Sequence, residues 1–185
     1  MNPPSFRDKV SSSRPVYERE QTRRLIAPAS IAIVGASANP GAFGARTLGN
    51  LHSYAGKIYL INGKYKEIEA RPCYARLADL PEVPDCAFVA VPRDGVKAVV
   101  EECVRLGVGG VVIFASGLGE SSHPDHQAIQ REIVAMTAGT GTRLLGPNCL
   151  GMMNAVTGAL GTFTVIPQRM KLEGCRSIGL VGQSG

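Results

Sequence analysis

A doubly wound, Rossmann-like α/β domain built on a parallel sheet is the fold the sequence predicts, on three observations. Five short β-rich apolar runs alternate with helix-like stretches along the chain. The runs are apolar at consecutive positions rather than at alternate ones, which marks strands covered on both faces. Tight turns punctuate the alternation, as 22 glycines and 12 prolines among 185 residues imply.

Taken in order, the chain opens on a polar leader, "MNPPSFRDKVSSSR", expected to be disordered or helical over residues 1–24. "PVYEREQTRRLI" can form a short helix that packs Leu25 and Ile26 onto the body before Pro28 ends it. The strands are "SIAIVG" (30–35), "KIYLI" (57–61), "CAFVAV" (86–91), "GVVIFA" (110–115) and "RLLG" (143–146). Between them lie the helices "RTLGNLHSY" (46–54), "DGVKAVVEECVRLG" (94–107) and "PDHQAIQREIVAMTAG" (124–139). In the second of these, Val96, Val99, Val100, Cys103, Val104 and Leu106 recur at three-or-four spacing, Asp94 is the expected N-cap, and Gly107 the stop.

Composition narrows the function. Residues 1–24 carry six basic and three acidic side chains, so most of the net charge of +5 belongs to the leader; the rest holds 14 basic against 12 acidic. No basic stripe interleaved with aromatics runs through the body, which argues against nucleic acid as a partner. Five cysteines, odd in number and without a C-x-x-C pair, fit neither a disulfide framework nor a zinc site, and point to the reducing cytoplasm. No apolar run has the length of a membrane span, and no metal site is expected.

Ligands of doubly wound domains bind at the carboxyl ends of the strands, so the residues after each run carry the chemistry. The first strand leads into "GASANPGAFG", where Gly35, Gly41 and Gly44 allow close backbone approach and the next helix offers amides to a phosphate. Ser37 stands where a dinucleotide fingerprint has its second glycine. The second strand ends "INGKYK", with Lys64 near the place of the acidic residue that holds the ribose of NAD; a cation there favours an additional phosphate, as in NADP or coenzyme A (CoA). The third ends at Val91-Pro92 and the fourth at Ser116-Gly117, whose small residues can admit a narrow chain. The fifth is broken by Gly146-Pro147 and followed by Asn148 and Cys149, which act at the same edge or else serve as a structural turn with the thiol packed as a small hydrophobe.

Together, "SIAIVGAS" with Asn39-Pro40, "INGKYKEIEARPCYARLADLP", "DCAFVAVP", "GVGGVVIFASGLGE", "LLGPNCLGMMN" and "SIGLVGQSG" resemble the CoA-binding domain of the nucleoside-diphosphate-forming acyl-CoA synthetases. That family includes ADP-forming acetate–CoA ligase and the succinyl-CoA synthetase α subunit. The resemblance spans residues 25–185 and implies a CoA-binding domain over 25–155, with 156–185 as a linker and the first strand of a second domain. It implies that Gly35, Ser37, Ala38, Asn39 and Pro40 wrap the nucleotide and pantetheine of CoA, that Lys64 meets its phosphate, and that Val91 and Pro92 flank the pantetheine. Ser116 and Gly117 would line the route of the thiol; Asn148 and Cys149 would border acyl transfer, without Cys149 as nucleophile.

In such ligases a carboxylic acid, CoA and ATP or GTP with Mg2+ react through an acyl phosphate and a phosphohistidine. The histidine and the ATP-grasp domain are expected in further domains or a partner subunit. Ser177–Val181 would be the second domain's first strand, frayed or borrowed by a partner, and Gln183, Ser184 and Gly185 the start of its phosphate loop. His52, placed in the first helix after the glycine-rich loop, and His123 and His126 do not match the phosphohistidine and are read as solvated or capping. Alternatives of other classes are a stand-alone CoA-binding regulatory subunit and, less favoured for want of a Tyr-x-x-x-Lys pair, an NADP-dependent reductase.

Overall fold

The computed structural model describes residues 16–166, 180 and 182. The element order is α1 (Arg19–Ile26), β1 (Ser30–Val34), α2 (Phe43–Asn50), β2 (Lys57–Ile61), β3 (Glu67–Ile68), β4 (Arg71–Tyr74), a 3-10 turn (Leu77–Asp79), β5 (Cys86–Val89), α3 (Arg93–Leu106), β6 (Gly110–Ile113), α4 (Pro124–Thr137), β7 (Arg143–Leu145), β8 (Gly151–Asn154) and β9 (Ala159–Thr162). All five predicted strands form, in the order β2-β1-β5-β6-β7, every neighbouring pair parallel. The chain changes direction of travel across the sheet between β1 and β5, which creates a crevice at their carboxyl ends.

Alternate residues of each strand feed the two faces. Ile31, Ile33, Leu60 and Phe88 join Leu25, Leu48, Leu51 and Ala159 on the face covered by α1, α2 and the β8–β9 hairpin. Ala32, Val34, Val89 and Ile113 join Val96, Val100, Cys103 and Ile133 on the face covered by α3 and α4. Strands β1, β5 and β6 are buried throughout, as runs without polar alternation require.

Several details differ from expectation. Pro92, not Asp94, is the N-cap of α3; Asp94 lies one step inside the first turn, where its charge meets the helix amides, and Gly107 does close the helix in the left-handed conformation. Helix α2 ends at Asn50, so His52 falls in the turn beyond it. Ile26 stays exposed while Leu25 is buried. Strands β3 and β4 were not foreseen: β4 adds to β2 in parallel and β3 pairs back on β4, because Glu69 and Ala70, both at positive φ, turn the chain between them.

The hairpin β8–β9 is the larger addition. Ala159 and Leu160 are buried, and a Cβ on Gly161 would lie 1.9 Å from Cζ of the fully buried Phe88, so the strand lies directly on the core. Asn50 Nδ2 donates to the carbonyls of Thr162 and Thr164 at 2.7 and 2.9 Å, tying this strand to α2. Packing therefore runs on through Phe163. Of the strand expected at Ser177–Val181 only Leu180 is described, and the loop at Gln183, Ser184 and Gly185 falls outside the described residues.

At the other end, Arg24 anchors α1. Its Nε donates to Asp85 at 2.7 Å, and its Nη atoms donate to the carbonyls of Gly107 and Pro84.

Candidate functional site

The carboxyl edge of the sheet begins with the loop after β1. Gly35 sits at φ +91, a conformation that costs only glycine little, and a Cβ there would lie 2.7 Å from the Ala90 carbonyl. A Cβ on Gly44 would lie 2.2 Å from the Gly35 carbonyl, so α2 starts directly against the end of β1. Between these glycines the loop organises itself: Ser37 Oγ accepts the Asn39 amide at 3.1 Å, and Asn39 Oδ1 accepts the Gly41 amide at 3.0 Å. Ser37 is half-buried, whereas Ala38, Asn39 and Pro40 face solvent.

The loop after β2 is tied to it. Asn62 Nδ2 donates to the Ala36 carbonyl at 2.7 Å, and Asn62 Oδ1 accepts the Lys64 amide at 3.0 Å. Lys64 projects into solvent from this brace, with no carboxylate paired to it among the described residues.

The ends of β5, β6 and β7 converge on a cleft of about 380 Å³ lined by Val91, Pro92, Ser116 and Asn148 together with Phe43, Arg93, Phe114 and Phe163. Four residues singled out from three different strand ends thus share one cavity. Gly117, at φ +82, lies beneath Arg93, whose Nη1 would be 3.2 Å from a Cβ placed there. The amides of Gly117 and Leu118 donate to the Glu120 carboxylate at 2.6 and 3.3 Å and shape the loop. Burial pushes the Glu120 carboxyl up, but these amides outweigh it and hold the group below the usual carboxylate range.

After β7, Asn148 adopts φ +54, a left-handed conformation that Asn tolerates, and its amide donates to the Ala115 carbonyl at 2.9 Å. Its neighbour turns away. Cys149 Sγ contacts the carbonyls of Ile113 at 3.3 Å and Leu145 at 3.7 Å and packs against the core. It is not among the residues lining the cleft, and burial pushes its thiol above the ordinary value, so it is not a thiolate at neutral pH. The "Asn-Cys" pair divides into one residue for the cleft and one for the core.

Sequence reasoning missed Phe43, Arg93, Phe114 and Phe163. Phe43 sat in plain view inside the glycine-rich loop, and Arg93 follows Val91-Pro92 directly; the place of Phe163 depends on the unforeseen hairpin. None of the three histidines lines the cleft. His52 lies in a separate groove of about 340 Å³ beside Arg46, Asn50 and Thr164. His126 Nδ1 is 2.9 Å from Ser121 Oγ, and His123 caps the start of α4 without a side-chain bond. No helix among the described residues is long and apolar enough to cross a membrane.

Comparison with known proteins adds to this geometry. The family described as CoA binding domain matches residues 29–155. A trans-feruloyl-CoA synthase of an unidentified prokaryote is 37% identical over 171 residues, which are 91% of this chain and 24% of that protein. An ADP-forming acetate–CoA ligase of Archaeoglobus fulgidus is 36% identical over 88% of this chain and 23% of its own length. Among solved structures, the dinucleotide forming acetyl-coenzyme A synthetase 1 of Ca. Korarchaeum cryptofilum, in complex with phosphate and ADP, superposes with a TM-score of 0.72 at 35% identity, over 77% of this chain and 30% of that one. The chain thus spans about a quarter of the length of these curated relatives.

Proposed function

The chain belongs to the CoA-binding domain family, homologous to a domain of the ADP-forming acyl-CoA synthetases, and on that premise we propose that it holds CoA along the carboxyl edge of the sheet for an acid–thiol ligase. The observation that carries this is the order of the strands. Lys64 follows β2 and Asn148 follows β7, four strand spacings apart, or about 19 Å. A site with an exposed cation at one end and an amide at the other, joined by small-residue loops, suits an elongated phosphate-bearing thiol carrier better than a compact ligand.

In this reading Lys64 meets the 3′-phosphate, and Gly35, Ser37, Ala38, Asn39 and Pro40 wrap the nucleotide and upper arm. Val91 and Pro92, which present no amide donor at the proline, flank the pantetheine. Ser116 and Gly117 admit the thiol end, and Asn148 offers its side-chain amide to the reacting carbonyl. The phosphate relay and the nucleoside triphosphate site, with ATP or GTP and Mg2+, belong to additional domains or a partner subunit, since the cleft carries no histidine among the described residues. Residues 177–185 are assigned to the first of those domains. The names of the relatives include both a feruloyl and an acetate enzyme, so a carboxylic acid is the second substrate.

Isothermal titration tests the reading. CoA should bind this chain, and NADP should bind more weakly; equal or tighter NADP binding would overturn it. Incubated alone with acetate, CoA and ATP, the chain should show no turnover.

A further inference from the structure

Four of the five phenylalanines of the chain gather beneath one corner of the carboxyl edge. Phe43 and Phe163 stack face to face, 4.0 Å between centroids and 13° between planes. Phe114 meets both edge-on, at 6.5 and 5.0 Å. Phe88 and Phe114 are used up by the core, at 0% and 3% exposed, but Phe43 is 42% exposed. A phenylalanine left this open forgoes much of the stabilisation that burial would bring, yet its neighbours hold its ring in a fixed orientation at the wall of the cleft. The same cleft carries Ser116 and Asn148, which can bond a carbonyl oxygen.

We infer that the cleft accepts an aromatic acyl group carried on CoA, with its ring against the Phe43–Phe163 stack and its thioester carbonyl toward Asn148 and Ser116. The inference rests on the CoA reading and adds the class of acid to it. A ring can cover the open part of Phe43 in offset-stacked or edge-on geometry, whereas an acetyl group has too little apolar surface to do so.

Titration of the full chain with CoA, acetyl-CoA and benzoyl-CoA decides the matter. Benzoyl-CoA should bind roughly 3- to 10-fold more tightly than acetyl-CoA. That ratio should fall to near one in Phe43→Ala and be kept in Phe43→Tyr, which restores a ring at this exposed position. CoA binding accompanied by equal affinities for the two thioesters overturns the aromatic shelf and leaves the CoA reading intact, and this comparison needs no variant. A ratio that survives in Phe43→Ala overturns it too. Failure of CoA itself to bind removes both.

Discussion

Asn62 donates its side-chain amide to the Ala36 carbonyl at 2.7 Å, so the loop after β2 is fastened to the loop after β1. Through Oδ1 the same side chain fixes the amide of Lys64. One residue therefore sets the spacing between the loop assigned to the nucleotide and the cation assigned to its phosphate.

Replacing Asn62 by Ala leaves the carbonyl of the buried Ala36 without this donor and releases Lys64. Stability should fall by about 1–2 kcal/mol in urea unfolding, and CoA affinity should fall with it. Unchanged CoA affinity in a variant that is measurably less stable would show that the brace is structural alone.

Lys64→Ala should weaken CoA about tenfold and dephospho-CoA much less, because a charge-assisted phosphate contact is lost only from the first. The difference should shrink as salt is raised, since the lysine stands in solvent. Equal losses for both ligands would remove Lys64 from the phosphate site.

Gly161→Ala places a methyl carbon 1.9 Å from Cζ of Phe88, a ring with no exposure and little room to move. Overpacking of this kind costs about 1–3 kcal/mol. A midpoint shift of that size in urea, with the slope unchanged, would show that β9 unfolds together with the sheet. No shift would mean that the hairpin is an independent appendage.

What could be read from the sequence divides along physical lines. The five central strands are runs of consecutive apolar residues, with Ser30, Lys57 and Arg143 only at their starts, and α3 has both a clear stripe and Gly107 to end it, so their existence followed from pattern alone. The two-residue β3 and the hairpin β8–β9 are not marked in this way. "GMMN" and "ALGT" are short and weakly β-favouring, and they are held by contacts distant in sequence, such as Asn50 with Thr162 and Gly161 with Phe88. The cleft residues Val91, Pro92, Ser116 and Asn148 were legible because strand ends are where such folds bind ligands. Phe163 was not, since only the hairpin brings it there, and the inward turn of Cys149 depends on backbone carbonyls that no spacing reveals.

The pair Arg24–Asp85 gives a pH dependence. Burial alone would push the Asp85 carboxyl up, but the Ala29 amide at 2.8 Å and the Arg24 guanidinium at 2.7 Å outweigh it and hold the group below its ordinary value. A carboxyl depressed in the folded state adds stability above its unfolded value of about 4 and loses it as pH falls through the folded value. Asp85→Asn should therefore cost about 1–2 kcal/mol at pH 7, allowing for the partly exposed guanidinium. The gap between the two proteins should close as the pH is lowered from about 4 toward 2. A gap that is constant across that range would place its origin in packing rather than charge.

The most direct test of the central claim is a crystal structure of this chain with CoA. The 3′-phosphate should lie within hydrogen-bond reach of Lys64 Nζ, with the pantetheine passing Val91 and Pro92 and the sulfur in the cleft beside Ser116 and Asn148. CoA bound elsewhere, or bound at this edge with Lys64 directed away from it, would contradict the account.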